Sequence, residues 1–259
     1  MNWSLYIDGV YIIVLFAALT WLLSLILKDV SIVDSAWSLM FLTSGIYYFF
    51  INEVSDLKTN IFFGLLILWA LRLAIHLTWR NWGEPEDRRY QDIRKKYSPN
   101  FGLKSLFIIF VFQALLAAII SLPVASVMNE QSVVGTVGLM EYVAILVWSI
   151  GFLYESIADW QLAKFKSEES NVDQVMNTGL WRNTRHPNYF GEFLIWWGFY
   201  IYAFNSGPWW IIVSPLLMSW LLLKFSGVVM LEDTIVKRRP EYQKYIDITN
   251  AFFPGTVKE

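Results

Sequence analysis

The chain contains no cysteine and only two histidines, His76 and His186. Disulfide scaffolds, thiolate metal sites and cysteine nucleophiles are thereby excluded, and so is a histidine-rich metal centre. Charge is also scarce: Asp, Glu, Lys and Arg make up 16% of the 259 residues, against roughly a quarter in soluble domains. The two signs nearly cancel, leaving a formal net charge of −2, so composition supplies no footprint for nucleic acid. Neither a Gly-x-Gly-x-x-Gly run nor a P-loop lysine occurs, which removes the usual soluble dinucleotide and nucleotide sites. Apolar residues are what the chain has in excess: 56% are hydrophobic and 18% aromatic, and mean hydropathy is +0.44. These numbers describe an integral membrane protein.

A bilayer core of about 30 Å takes about 20 apolar residues per helix. Gly9–Leu27, Ser35–Asn52 and Ser105–Asn129 carry no charge, and Ile61–Trp79 is interrupted only by Arg72 and His76. Tyr142–Tyr154 is apolar and continues through Glu155 to Asp159. Phe193–Leu223 is too long for one span, and Asn205-Ser206-Gly207-Pro208 inside it reads as a turn between two helices. The expected fold is all-α, a polytopic membrane protein with seven transmembrane helices.

The loops orient these spans. Seven Lys and Arg fall between Arg80 and Lys104, four between Lys164 and Arg185, and six from Lys224 onward. None falls in Asn129–Glu141 or Asn205–Pro208. By the positive-inside rule the basic loops and the C-terminus are cytoplasmic and the N-terminus is outside. The expected location is multi-pass in a membrane. No basic residue precedes the first apolar stretch and more spans follow it, so that stretch does not read as a signal peptide. With no repeat or linker, residues 1–259 are expected to form a single domain. Glu84–Lys96 mixes both charges at helical spacing and reads as a solvated surface helix, and Val236–Phe253 as a second such segment.

Ionisable residues inside spans are costly and mark candidate sites. Asp34 opens the second span, and Arg72 lies within the third. Glu155 and Asp159 are four apart in the fifth, as Asn188 and Glu192 are at the start of the sixth. Residues four apart share a helix face, so each pair is able to line one polar pocket. Arg72 serving only to neutralise an acid is the bland alternative. Thr178 to Glu192 then gives a glycine-marked turn leading into a helix at Pro187, which suits a first helical turn. Arg182, Arg185 and His186 just before that electropositive end suit an anion such as a cofactor phosphate. A headgroup anchor is the competing reading, and it fits Lys164 and Lys166 better than this cluster.

The Arg185-His186-Pro187-Asn188-Tyr189-Phe190-Gly191-Glu192 segment resembles the steroid 5-alpha reductase superfamily, and within it a bacterial branch of unknown function. Glu86-Asp87-Arg88-Arg89-Tyr90 and the tail from Leu231-Glu232-Asp233 to Phe252-Phe253-Pro254 look like the same branch. The resemblance implies a seven-helix reductase, multi-pass in a bacterial inner membrane, with NADPH entering from the cytoplasm. It also implies that Asn188 and Glu192 bond the cofactor, with Asp159, Glu155 and Lys166 as further ligands. Arg185, His186 and Tyr189 match the branch's signature.

The resemblance has a gap. The steroid reductases carry a Gln-Glu pair in the second span and a Tyr in the third, which handle the enone carbonyl. Here Val33-Asp34-Ser35-Ala36-Trp37 occupies the first place and the third span has no tyrosine. Asp34, if protonated, is the remaining candidate for the catalytic donor. Arg-His-Pro-x-Tyr also resembles isoprenylcysteine carboxyl and phospholipid methyltransferases, which use S-adenosylmethionine. The expected activity is NADPH-dependent reduction of a carbon–carbon double bond conjugated to a carbonyl in a lipid or steroid-like substrate. The alternative is a membrane methyltransferase. Metal and nucleic acid are not expected as partners.

Overall fold

The computed structural model describes residues 1–51, 56–128, 137–172, 174–225, 232, 235–236 and 239–257. The described residues are helical or irregular, with no strand among them. Among the described residues, four helical segments are long and apolar enough to cross a membrane: Trp3–Leu27, Leu57–Asn81, Phe101–Ile120 and Leu139–Ser167. The other apolar helices fall short by that measure. The sixth expected span is a helix of 17 residues, and the apolar helix Trp209–Lys224 is shorter than 18. The chain divides into two compact units with no linker composition between them. One comprises Met1–Val137 with Ala203–Ile211, and the other Gly138–Tyr202 with Ile212–Glu259.

In the first unit, α1 (Trp3–Leu27) starts at Asn2, whose side chain accepts from the Leu5 N–H. It ends at Lys28, which takes a left-handed conformation and donates its N–H to Ser24. Its buried stripe of Leu5, Gly9, Ile13, Ala17, Thr20 and Ser24 is mostly small, while Tyr11, Leu15, Leu19 and Ile26 are exposed. Small residues inside and large apolar ones outside is the pattern of a helix in lipid, where packing depends on close approach. A Cβ on Gly9 would lie 1.8 Å from the Tyr48 hydroxyl, so glycine admits the ring of α2 (Ile32–Ile51).

The second helix packs between α1 and α3 (Leu57–Asn81), and Ser38 Oγ donates 2.8 Å to the Ala70 carbonyl. After α3 comes the short α4 (Arg88–Lys96). Next, α5 (Phe101–Ser105) passes through a π turn, Leu106–Val111, into α6 (Phe112–Ile120), and α7 (Leu122–Met128) follows. Two hydrogen bonds tie this run to α1: Trp21 Nε1 to Gly102 O at 2.8 Å and Tyr6 Oη to Ala118 O at 2.9 Å.

The second unit is built on α8 (Leu139–Ser167) and α9 (Pro187–Ala203). The Glu141 side chain accepts from the Gly138 N–H at α8's start. Tyr142, Leu146, Leu153, Ile157 and Trp160 form its exposed face. The chain turns after Ala203, where the Ser206 N–H bonds the Ala203 carbonyl at 2.9 Å, so the long apolar run is broken where its Asn-Ser-Gly-Pro turn predicts. A 3-10 turn, Trp209–Ile212, leads into α10 (Val213–Trp220). Trp197 Nε1 donates to Ser219 Oγ, joining α9 to α10. The last helix is α11 (Tyr242–Ile248).

Candidate functional site

The main polar cluster of the second unit lies where α8 and α9 cross, and two glycines set the distance of that crossing. A Cβ on Gly191 would stand 2.5 Å from the Glu155 amide nitrogen and 2.6 Å from the Gly151 carbonyl oxygen. A Cβ on Gly151 would stand 2.6 Å from the Gly191 carbonyl oxygen. One turn of approach is therefore backbone against backbone, the geometry that small residues permit in membranes. Further along α9, Gly198 meets Trp148 in the same way, at 2.8 Å from its Cβ. Glu155, Asp159 and Glu192 are all buried at this crossing, at 4%, 7% and 6% exposure.

Neutral groups supply two of the hydrogen bonds within the cluster. Asn188 Nδ2 donates to Asp159 Oδ1 at 3.1 Å, and Trp196 Nε1 donates to Glu192 Oε1 at 3.0 Å. Asn188 Oδ1 also accepts from the Tyr189 N–H, which fixes its amide at the helix start. The cluster is thus rich in acceptors. On the same α8 segment, Trp148 Nε1 and Ser156 Oγ are buried donors without an acceptor among the described residues. An arrangement of this kind suits a ligand that brings hydroxyl or amide donors to the carboxylates and acceptors to the helix.

The basic residues of the Arg-His-Pro segment are used differently. Arg185 Nε and Nη2 donate to the two Glu232 oxygens at 2.6 and 3.0 Å. Its Nη1 donates to the carbonyls of Ile246 and Thr249, and its backbone N–H to Asn250 at 2.9 Å. The expected anion-binding role of Arg185 is thus not what its geometry serves, because a guanidinium committed to a carboxylate and two carbonyls has little left to offer a phosphate. His186 Nε2 shares the same Glu232 at 3.0 Å, and its ring stacks on Tyr189. Burial pushes the Glu232 carboxyl up, but the donors from His186 and Arg185 hold it below the ordinary range. Arg182, Lys164 and Lys166 are exposed, so of the expected phosphate contacts Arg182 and Lys166 are the accessible ones.

The tail closes over this segment. Thr184 Oγ1 donates to Phe252 O at 2.8 Å, and the Gly255 N–H to Asn183 O at 3.0 Å. The Tyr245 hydroxyl donates to the Trp181 carbonyl. Phe252 and Phe253 pack edge-on against Phe190 and Phe193 of α9. The second surface segment expected from the sequence therefore has a buried face: Tyr242, Tyr245 and Phe252 are at most 8% exposed. Lys237 and Arg238 of that segment lie outside the described residues.

In the first unit, Asp34 sits in the first turn of α2 and accepts on both oxygens. Tyr90 Oη donates to Oδ1 at 2.5 Å, and Arg89 Nη2 to Oδ2 at 2.7 Å. Arg89 also pairs with Asp87, and Gln113 Nε2 approaches Tyr90 Oη at 3.4 Å. Burial and the Asp34 carboxylate push the Tyr90 phenol well above its usual value, so the phenol keeps its proton and donates it to Asp34. With both oxygens accepting from the protein, Asp34 has the setting of a structural carboxylate, whereas the sequence led to the expectation of a catalytic donor there.

Glu84–Lys96 is consequently more than a solvated face. Tyr90 is 6% exposed, and Arg94 is tied to Glu86 at 2.7 and 2.8 Å. Periodicity registered the charges but not their pairing with the α1–α2 turn. Glu232, Arg89 and Tyr90 went unrecognised as partners of Arg185 and Asp34. Their signal in the sequence was that all three fall in the segments that share the branch resemblance. No group of three or more His, Asp or Glu side chains suited to a metal occurs among the described residues.

Comparison with known proteins places the chain. Uncharacterized protein C594.04c of Schizosaccharomyces pombe is 24% identical over 290 residues, which covers 98% of this chain and 80% of that protein. A fungal relative lends no support to a bacterial inner membrane as the location. No solved structure matches the chain. The family model described as protein of unknown function (DUF1295) matches residues 20–249, the stretch that holds Asp34, the α8–α9 cluster and Glu232, and the chain belongs to that family.

Proposed function

We propose that this chain is a membrane reductase of the steroid 5-alpha reductase type, spanning the bilayer seven times with its N-terminus outside. NADPH would supply a hydride to the β-carbon of an enone-bearing lipid, and a proton returned to the α-carbon would complete the reduction. The observation that carries the reading is the gathering of Glu155, Asp159, Glu192 and Asn188 at a glycine-set crossing inside apolar helices. Three carboxylates gathered at one depth among apolar helices are expensive and mark a functional site by default, and a ligand with several donors suits them. Ribose hydroxyls and a carboxamide are donors of that kind. Glu192 and Asn188 would hold the carboxamide, Asp159 and Glu155 the hydroxyls, and Lys166 and Arg182 the phosphates. Tyr189, stacked on His186, would wall the entrance, and the Arg185–Glu232 pair would fix the loop that carries it. Asp34 takes no part in proton delivery in this reading.

The same acceptors would suit the ammonium and sulfonium of S-adenosylmethionine, so the deciding experiment offers both ligands to the purified full-length protein. NADPH should bind, and S-adenosylmethionine should not. Glu192→Ala should weaken NADPH by roughly one to two decades, the cost of one charge-assisted hydrogen bond, with thermal midpoint retained. Binding of the sulfonium instead would replace the reductase by a methyltransferase. Reporters at Ser206 outside and at Glu86 and Ser170 inside would support the seven-span orientation.

A further inference from the structure

The α4 helix has two faces with different duties. Its inner face is committed to the protein. Asp87 caps it and Tyr90 is buried. Arg89 holds Asp34, and Arg94 lies over the Phe101 ring at 4.5 Å while bonding Glu86. Glu86 in turn accepts from the Val30 N–H at 2.9 Å, and Ser31 Oγ from the Asp87 N–H at 2.8 Å. The outer face carries Arg88, Lys95 and Lys96, all exposed. Lys95 meets Asp92 at 3.6 Å with both side chains about three-quarters exposed, at 76% and 77%, a pairing of little strength, and Lys96 Nζ lies 5.5 Å from the ring of its neighbour Tyr97.

The surroundings say where that face works. The segment joins Leu57–Asn81 to Phe101–Ile120, two helices able to cross a membrane, so it lies at one membrane face. Trp79 and Trp82 at the end of α3 are 66% and 81% exposed, and Leu103 and Phe107 at the start of the next helix 67% and 68%. Tryptophan so placed belongs at the headgroup level. Between Arg80 and Lys104 the chain has three more Lys and Arg than Asp and Glu, although the whole carries −2. The fold itself uses Arg89 and Arg94 and leaves Arg88, Lys95 and Lys96 to the outside.

We propose that the outer face of α4, flanked by Trp79 and Trp82, binds the headgroups of anionic phospholipids. Clustered cations beside a spanning helix attract anionic lipid with a strength that adds up residue by residue, and the aromatic flanks fix the helix at the depth where phosphates lie. Because the inner face of the same helix clamps Asp34 and Glu86, lipid bound outside stabilises the corner where α1, α2 and α4 meet.

The test uses the purified full-length protein in neutral detergent, with phosphatidylglycerol or phosphatidylcholine added in mixed micelles, and reads thermal midpoint and lipid retained in native mass spectrometry. Phosphatidylglycerol should raise the midpoint and stay bound, phosphatidylcholine should do neither, and high salt should weaken the effect. Arg88→Glu/Lys95→Glu/Lys96→Glu should weaken the response roughly ten-fold or more, with an unchanged midpoint in phosphatidylcholine. Should that variant fail to fold, Lys95→Gln/Lys96→Gln should show a smaller loss in the same direction. Lys244→Glu, an exposed cation elsewhere, should respond like wild type. The proposal is overturned if the reversed variant keeps the full response, or if the two lipids act alike. It is equally overturned if soluble glycerol phosphate reproduces the shift, or if the reversal dissociates a dimer while lipid retention persists.

Discussion

Asp34 and the α8–α9 acids are carboxylates of an apolar chain, yet their environments are opposites. Asp34 stands at a helix start with an arginine and a phenol on its two oxygens. Glu155, Asp159 and Glu192 stand within helices, and the hydrogen bonds seen at Asp159 and Glu192 come from an amide and an indole. An ion pair at a helix end completes itself and fastens α4 to α2. The buried acids of the second unit gather within helices, at a crossing whose close approach depends on Gly151 and Gly191. The first arrangement serves architecture, and the second suits a ligand.

The sharpest way to break this contrast is at the crossing itself. Gly191→Ala places a methyl 2.5 Å from the Glu155 nitrogen and 2.6 Å from the Gly151 oxygen. Both are backbone atoms, so the helices must separate. A loss of about 3 kcal/mol or more is expected, at the upper end for overpacking, read by unfolding in detergent. NADPH affinity should fall with it. A variant with wild-type stability would mean that the crossing does not hold the acids in place.

Next in size is the clamp that removes Arg185 from ligand binding. Glu232→Gln should cost about 1.5–3 kcal/mol at neutral pH, as expected for hydrogen bonds to a charged group. Because the Glu232 carboxyl is held low, its stabilisation is present above about pH 4.3 and fades as pH falls through the lowered native value. Wild type should therefore lose stability below about pH 4.3 more steeply than Glu232→Gln. Parallel pH profiles would place the stabilising charge elsewhere.

Legibility divides along the same line. The all-α membrane character, the turn at Asn205–Pro208 and the helix start at Pro187 were all readable, because each rests on local composition or on proline and glycine geometry. The pairs Glu155/Asp159 and Asn188/Glu192 were readable as faces by their spacing of four. Their meeting was not, since it depends on Gly151 and Gly191 facing each other across 40 residues of chain. The commitment of Arg185 was unreadable for the same reason. Its partner Glu232 is 47 positions away, and a charge count cannot distinguish an arginine offered to a ligand from one already locked to a carboxylate. Asp34 and Tyr90, 56 apart, illustrate it again.

Asp34 gives a smaller effect and the most direct test of its role. Asp34→Asn should lower stability by about 1–2 kcal/mol, because Arg89 retains Asp87 when the charge-assisted bond is lost. NADPH affinity and turnover of an enone lipid at saturating cofactor should change little in the folded fraction. A turnover loss of about 10²-fold in intact protein would instead restore Asp34 as the proton donor and erase the contrast between the two carboxylate environments.

The smallest expected effect comes from a glycine that no such crossing demands. Gly64 in α3 would carry a Cβ with no heavy atom within 4 Å, and its backbone is helical. Alanine there removes conformational freedom from the unfolded chain without meeting a neighbour. Gly64→Ala should therefore stabilise by about 0.5–1 kcal/mol, the helix-interior difference between the two residues. Unfolding of Gly64→Ala and Gly191→Ala in the same detergent makes the comparison internal, since both add one methyl to a glycine in an apolar helix. Opposite signs would show that surroundings, not helix propensity, decide what glycine does in this chain. If Gly64→Ala destabilised as much as Gly191→Ala, α3 would have to pack against another surface through Gly64, and the crossing at Gly191 would lose its distinction.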